Sequence, residues 1–320
     1  AEWYEFFLDG VPQGGIQEEN FITFDIAIKD HTRVTAKYYY PLSFLKPEML
    51  PVEGSSSWSY GSSNSSTSAK ILDFKMSETE ITQAQFEYVM GDISTNPPYF
   101  SCNGSGSSYV TDRPTSALPV EYQNWYHAIA YCNKLSILEK KELCYTVTNV
   151  NFDTLTYKGI PTGSNSNWSN ATCDFSKNGY RLPTDSEWEY AARGGKDTHD
   201  YTYAGSNDIC AVAWYWDNTN GTSCTVNGYY GTNPVRTKGP NELDLFDMSG
   251  NVHEWTWSGN SDTFPADTPS NAVQASGIHR VLHGGYWKGT ESNCSVSGRG
   301  YSLPSARIVG IGFRVACKGE

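Results

Sequence analysis

The chain has 320 residues, a formal net charge of -12, 38% hydrophobic residues and 14% aromatic residues. This length allows one large domain or a domain with an appendage, and the aromatic share indicates a loop-rich fold packed around large rings. The negative charge argues against a nucleic-acid partner, because phosphate binding needs clustered Lys and Arg. No apolar stretch of the sequence is long enough to span a bilayer. No signal peptide is visible at Ala1, so the sequence itself leaves the localisation open.

Residues 1–47 are predicted to form a small β appendage packed on the main domain. Phe21–Lys29 and Arg33–Tyr40 alternate apolar and polar residues, as half-buried strands do, with Asp30-His31 in the turn. The main domain, residues 48–320, is predicted to begin near Glu48. The Ser- and Gly-rich stretch 54–68 is either a linker or, as we favour, part of a first strand and hairpin that starts with Met49–Gly54.

Three helices are predicted in the main domain. Two begin with a capping box, in which a threonine and the residue three positions later bond each other's backbone N–H groups. The third has apolar residues at i, i+3, i+4 and i+7. The predicted helices follow Thr82 (with Gln85, ending at Gly91), span Asn124–Leu138, and follow Thr184 (with Glu187, ending at Gly194-Gly195).

Beyond Gly195 the chain is predicted to form loops and short strands. Leu245-Phe246 and Val281-Leu282 are expected at the ends of core strands, and the alternating segment Ile311–Cys317 as a final strand. A few helices followed by many short strands indicate an α+β domain.

The chemistry-bearing residues are few. The eight cysteines include no CxxC pair, which argues against structural zinc. Cys210 and Cys224 would close a short loop as a disulfide, and buried thiols explain the cysteines equally well. No GxSxG elbow, P-loop or HExxH is present.

One acidic segment runs from Asp247 to Glu254, with the sequence DMSGNVHE. Two carboxylates with intervening backbone carbonyls could chelate Ca²⁺, a hard ion that prefers oxygen ligands. On chemistry alone, a turn in which both carboxylates accept backbone N–H bonds ranks first.

Five segments together resemble one family over residues 49–317. They are MSETEITQAQFEYVMG (76–91), PVEYQNWYHAIAYCNKLS (119–136), RLPTDSEWEYAARGG (181–195), LFDMSGNVHEWTW (245–257) and IGFRVA (311–316). In this order and spacing they are similar to the formylglycine-generating-enzyme (sulfatase-modifying-factor) domain family. The resemblance implies a C-type-lectin-like fold, loop-rich with short strands and a few helices. The family's opening segment also favours the first hairpin over a linker.

The resemblance also implies roles for particular residues. The matching calcium ligands would be the side chains of Asp247 and Glu254 and the carbonyls of Gly250 and Val252, which raises calcium above the simple turn. The family's oxidases bind copper through two cysteines. The second of these matches Cys294, whereas Gly289 stands in place of the first. We therefore expect no copper and no enzyme, with a formylglycine-generating-type oxidase acting on a cysteine of a protein substrate as the alternative.

The stretch Gly284–Cys317 is similar to the variable region of proteins diversified by retroelements. Such randomisation of template adenines cannot produce Trp, Lys or Glu, so Trp287, Lys288 and Glu291 should be fixed. The resemblance implies a monomer at the cell surface, lipid-anchored upstream of Ala1, whose variable region 282–310 binds a protein or other macromolecular ligand. The predicted variable positions are Leu282, Tyr286, Gly289, Thr290, Gly298, Gly300, Tyr301, Ser302, Leu303, Ala306, Ile308, Val309 and Gly310.

Overall fold

The computed structural model describes residues 4–8, 11–12, 21–27, 33–39, 42–62, 65–101, 103–111, 115–221, 224, 228–260, 275 and 277–319. The chain divides into two compact units, Ala1–Pro47 and Glu48–Glu320. Each unit has its own secondary structure.

The first unit contains an antiparallel four-stranded sheet in the order β2-β1-β4-β3. The two predicted strands are confirmed as β3 and β4, which pair along their length with Phe24 opposite Ala36. The predicted turn at Asp30-His31 lies outside the described residues. The elements are β1 (Tyr4–Leu8), β2 (Val11–Pro12), β3 (Phe21–Ala27), β4 (Arg33–Tyr39) and the short helix α1 (Leu42–Leu45).

The second unit combines a few helices with short strands, which confirms the predicted α+β class. Its helices are α2 (Gln83–Met90), α3 (Trp125–Leu138), α4 (Ser166–Ser169), α5 (Asp185–Ala192), α6 (Ile209–Val212) and α7 (Trp216–Thr219). Its strands are β5 (Met49–Val52), β6 (Ser55–Ser62), β7 (Ser65–Ile71), β8 (Phe74–Ser77), β9 (Tyr145–Thr146), β10 (Thr172–Cys173), β11 (Tyr180–Arg181), β12 (Ala213–Trp214), β13 (Ser249–Gly250), β14 (His253–Gly259), β15 (Arg280–His283), β16 (Gly300–Ser302), β17 (Ile311–Gly312) and β18 (Ala316–Lys318).

The three predicted helices are confirmed as α2, α3 and α5. Thr82 caps α2 and Thr184 caps α5, each with the complete capping box that the sequence indicated. Asn124 caps α3 by accepting a hydrogen bond from the His127 backbone N–H at 3.0 Å. Helix α5 ends at Ala192, just before its predicted glycine stop.

The stretch 54–68 forms a hairpin of β6 and β7 rather than a linker, so the favoured alternative is confirmed. Strand β5 precedes it and joins a sheet of order β11-β18-β8-β5, whereas a second sheet has the order β16-β15-β14-β17. The last two strands of the chain therefore belong to different sheets.

Two strand predictions were wrong in detail. The predicted final strand is two strands, because the chain leaves β14 after β17 and crosses to β8 and β11 as β18. Leu245-Phe246 lies in no strand, although Leu245 is buried. The Phe246 carbonyl accepts a hydrogen bond from Arg314 instead of joining a ladder. The apolar character of Leu245 therefore predicted its burial correctly, but it did not predict that the backbone here pairs with no strand.

Tryptophan rings fill the centre of the second unit. Trp125, Trp255 and Trp257 are completely buried, and the Trp125 and Trp257 rings lie 5.3 Å apart. The Trp125 and Trp255 N–H groups donate to the backbone carbonyls of Thr256 and Gln123. Because these buried donors are satisfied, the rings add apolar burial without leaving an unpaired polar group. This core supports β14 and β15, which carry the site.

Candidate functional site

The predicted binding surface begins at the edge strand β16. Register places Leu282 of β15 opposite Gly300 and Val281 opposite Tyr301. Successive side chains of a strand point to opposite faces, so Tyr301 projects to solvent and Ser302 into the protein. The side chain of Tyr301 is 57% exposed, whereas Ser302 is 6% exposed.

Several predicted variable positions lie at the surface. Leu303 and Ile308 are 48% and 45% exposed, in the loop between β16 and β17. Large exposed apolar side chains are typical of a contact surface where they form a contiguous patch. The accessible positions of the predicted set are Tyr286, Thr290, Gly298, Gly300, Tyr301, Leu303, Ala306, Ile308 and Val309.

Four predicted positions do not present a side chain to solvent. Leu282 is 3% exposed and packs in the core, and Ser302, Gly289 and Gly310 are also buried. The structure therefore buries these four of the predicted variable positions. Strand alternation explains Ser302, because it neighbours the exposed Tyr301.

The glycines of the set differ in the room they offer. A Cβ on Gly310 would meet the Tyr286 ring at 2.6 Å, and its φ of +82° disfavours any side chain. A Cβ on Gly298 would lie 2.8 Å from the Asn293 carbonyl, and one on Gly289 would lie 3.0 Å from the Tyr286 carbonyl. At Gly300 the nearest contact would be an ordinary 3.4 Å. Gly300 is thus the one predicted glycine that accepts a side chain without local adjustment.

An aromatic pocket of about 310 Å³ adjoins this surface. Two predicted variable residues, Tyr286 and Val309, form part of its wall, which joins the pocket to the C-terminal segment. We call this cavity the aromatic pocket. It is lined by Tyr99, Phe100, Tyr109, Tyr230, Tyr286, Trp287, Lys288 and Val309.

The rings of the aromatic pocket contact one another in a continuous series. Phe100 and Tyr230 pack edge-on against Trp287, with ring centroids 5.4 and 5.0 Å away, and Tyr109 lies 5.0 Å from Tyr230. Trp287 is 3% exposed, yet its Nε1 has no hydrogen-bond partner among the described residues. Buried N–H groups are normally paired, so this donor is an exception among the described residues.

Glu121 ties together the two chain segments that border the aromatic pocket. Its carboxylate is fully buried and accepts hydrogen bonds from the backbone N–H of Phe100 at 2.9 Å and of Gly310 at 3.2 Å. Burial raises the pKa of Glu121 to about 7, although the backbone donors and Arg307 act in the opposite direction. A single side chain thus holds the loop before α3 next to the end of the variable region.

His253 lies beneath the accessible surface. Its ring stacks on Tyr286 with centroids 5.0 Å apart, and its backbone N–H donates to the Gly310 carbonyl at 2.8 Å. Burial lowers the pKa of His253 to about 4, so the ring is neutral at pH 7. A neutral ring on a fixed strand gives Tyr286 a flat support.

Both carboxylate oxygens of Glu254, a predicted calcium ligand, already accept hydrogen bonds from protein side chains. Its two carboxylate oxygens accept from Arg314 Nε at 3.0 and 2.7 Å, and Trp188 Nε1 donates to Oε2 at 2.6 Å. All three side chains are fully buried. A carboxylate held in this way does not fit a calcium ligand, because a cation there would meet the charge of Arg314.

Asp247 is a buried acceptor for a backbone N–H that lies outside the segment 247–254. Its Oδ2 accepts from the backbone N–H of Arg236 at 2.9 Å, and burial raises the pKa of Asp247 to about 6. The set Asp247, Gly250, Val252 and Glu254 therefore stays a prediction of the resemblance. A thermal melt in EDTA and in excess Ca²⁺ tests it.

The cysteines near the site have separate roles. Cys210 and Cys224 form a disulfide, and Cys294 is a free, fully buried thiol. Burial raises the pKa of Cys294 to about 12, so its thiol is protonated at neutral pH. Of the two open alternatives, the structure supports a core thiol for Cys294.

The sequence did not predict the other wall of the aromatic pocket. Tyr99, Tyr109 and Tyr230 come from loops far from the C-terminus, and no periodicity marks them. The available signal was composition, since Pro98-Tyr99-Phe100 and Tyr229-Tyr230 place aromatic residues in segments rich in Gly, Ser and Asn. Such residues in loops favour binding over core packing.

A family model, the sulfatase-modifying factor enzyme 1-like domain, matches residues 45–318. The chain therefore belongs to this family, which confirms the predicted resemblance. It is similar to the chaperone protein LppX of Paenibacillus barcinonensis, with 35% identity over 262 residues that span 78% of this chain and 82% of LppX. It is also similar to the formylglycine-generating enzyme of Streptomyces coelicolor, with 34% identity over 158 residues that span 47% of this chain and 50% of that enzyme.

Among solved structures, Treponema denticola variable protein 1 superposes with a TM-score of 0.72 and 32% identity, covering 93% of this chain and 99% of that protein. This confirms the predicted similarity to variable proteins. CarF superposes with a TM-score of 0.61 and 24% identity, covering 86% of this chain and 100% of CarF, and shares the fold. In the part of the chain that the structure describes, no helix is long and apolar enough to cross a membrane.

Proposed function

We propose that this chain is a non-catalytic display protein whose C-terminal surface, diversified by a retroelement, binds varied macromolecular ligands. The observation that carries the proposal is the contrast within that segment. Tyr301, Leu303 and Ile308 are exposed, whereas Trp287 of the same C-terminal segment is buried in a ring cluster. Exposed side chains on a rigid scaffold can change without unfolding the protein. The similarity to a variable protein over nearly its whole length supports this assignment.

A display library tests the proposal directly. Tyr301, Leu303 and Ile308 would be randomised together and selected against a purified protein such as lysozyme. We expect most members to fold and some to bind, because these side chains are exposed. A matched control library would randomise the buried pair Val281 and Leu282. Folded members that never yield a binder, or equal folding of the two libraries, would contradict the proposal.

The oxidase alternative rests on the family scaffold and Cys294. Copper ligation of the family type needs two thiolates. With Gly289 in place of the first cysteine, the residues present do not fit that metal site. We expect no oxygen consumption with Cu⁺ and a cysteine-containing peptide. Consumption that disappears in Cys294→Ser would establish the oxidase instead.

The remaining parts of the proposal concern context. We propose a monomer at the cell surface, held there by a lipid anchor, as the similarity to variable proteins implies. Fractionation of the source cells with and without detergent tests the location, and light scattering of the purified chain tests the monomer.

A further inference from the structure

The aromatic pocket combines fixed and changeable walls. Under the proposed function, on which this inference rests, Tyr286 and Val309 are changeable. The rest of the lining is fixed, either because it lies outside 282–310 or because adenine randomisation cannot produce the residue. The fixed lining residues are Tyr99, Phe100, Tyr109, Tyr230, Trp287 and Lys288.

The fixed part of the aromatic pocket carries two polar groups besides tyrosine hydroxyls. The Trp287 Nε1 donor is buried beside Gly310 and has no partner in the described ranges. Lys288 is exposed at the pocket and forms no ion pair with any described residue. Its ammonium lies 5.9 Å from the centre of the Trp216 ring. The Lys288 ammonium would favour a negative charge on the ligand.

We propose that the aromatic pocket is a constant anchor site for one aromatic side chain of a protein ligand, whose neighbouring carboxylate contacts Lys288. The cavity of about 310 Å³ is at the small end of ligand pockets, which suits a single ring better than a larger molecule. Rings at 5.0 to 5.4 Å spacing already show the edge-on geometry that a further ring would continue. Different variable surfaces would then share one anchor and differ around it.

Other occupants fit the lining less well. A sugar would need amide or carboxylate groups beside the rings, and the lining offers none among its described residues. A cation over the rings would be repelled by Lys288. An anion attached to an aromatic ring satisfies the rings and the lysine together.

The test uses N-acetyl-L-phenylalanine, which carries a ring and a carboxylate, and compares it with its uncharged amide. Binding to the whole chain would be followed by tryptophan fluorescence or by NMR chemical-shift changes during titration. We expect saturable binding with a dissociation constant on the order of 1 mM. The acid should bind up to about fivefold more tightly than the amide, as expected for an exposed ion pair. Lys288→Ala should remove that preference, so that the acid and the amide bind with similar dissociation constants.

Matched variants locate the binding. Tyr230→Ala should weaken both probes by about fivefold or more, because it removes a ring from the pocket. Leu138→Ala is the control, since Leu138 is 45% exposed and lies outside both the pocket lining and residues 282–310. If Tyr230→Ala does not fold, Tyr109→Ala replaces it, because Tyr109 is 46% exposed.

The possible results separate the two proposals. Saturable binding that Tyr230→Ala weakens and Leu138→Ala keeps would support the anchor site. No saturable binding to the parent chain, or the same loss in both variants, would overturn it. Such a failure leaves the display function standing, because the library selection measures that function without the probe.

Discussion

Gly300 and Gly310 were both predicted from the sequence as variable positions. The structure leaves room for a side chain at Gly300 and disfavours one at Gly310. A side chain at Gly310 would have to adopt a positive φ and would clash with the Tyr286 ring. A Cβ at Gly300 would make only ordinary van der Waals contacts. We expect Gly310→Ser to lower the free energy of unfolding by roughly 1–3 kcal/mol. Gly300→Ser should stay within about 0.5 kcal/mol of the parent. Urea unfolding of both variants measures the difference, and equal losses would contradict the assigned backbone geometry.

Glu121 gives a pH dependence with a defined sign. Its pKa is raised to about 7 in the folded chain by burial, from an ordinary value of 4.5. The stabilisation from its protonated form is therefore complete below pH 4.5 and is lost as the pH rises through 7. The parent chain should lose roughly 3 kcal/mol relative to Glu121→Gln between pH 4.5 and 8. Comparing the two unfolding curves cancels the other titrating groups.

A stability difference between parent and Glu121→Gln that does not change with pH would contradict this description. The variant should be less stable at low pH, because glutamine offers one acceptor to the two backbone donors of Phe100 and Gly310. The test is therefore the sign of the pH dependence of the difference in unfolding free energy between the parent and Glu121→Gln, and not the size of that difference at any one pH.

At the scale of elements, two N-cap threonines can be compared, because Thr184 is buried and Thr290 is exposed. Thr184 begins the buried helix α5, and Thr290 begins the exposed 3₁₀ turn Glu291–Cys294, each through a capping box. We expect Thr184→Ala to cost about 1 kcal/mol of unfolding free energy. Thr290→Ala should cost less than about 0.5 kcal/mol, because the position is at the surface. Thermal melts measure both, and a larger loss at Thr290 would argue against its place among the changeable positions.

The elements that sequence reasoning found were those with local causes. The capping pairs at Thr82 and Thr184 satisfy backbone donors within one turn, so they can be predicted without tertiary information. The division of the final strand could not be predicted. It depends on β14 and β8, which are strands of separate sheets far away in sequence. Leu245-Phe246 failed for a similar reason, since a side chain, Arg314, takes a bond that a neighbouring strand would have made.

At the scale of the whole molecule, the aromatic pocket was beyond sequence reasoning. Its wall brings Tyr99, Tyr109 and Tyr230 to the C-terminal segment, and only the folded chain establishes that proximity. The C-terminal side of the site was predicted, because a family resemblance located it by motif. Exposure then separated Tyr301, Leu303 and Ile308 from buried members such as Leu282. The sequence indicated the segment, and the structure selected the residues within it.

The most direct test of the display function is sequencing the 3′ end of the gene and its flanks across many clones of the source organism. We predict a nearby near-copy that differs at adenines, with substitutions concentrated at the accessible positions, above all Tyr301, Leu303 and Ile308. Trp287 and Lys288 should remain unchanged. A C-terminal segment that is identical in every clone, while substitutions accumulate elsewhere in the gene, would contradict the account.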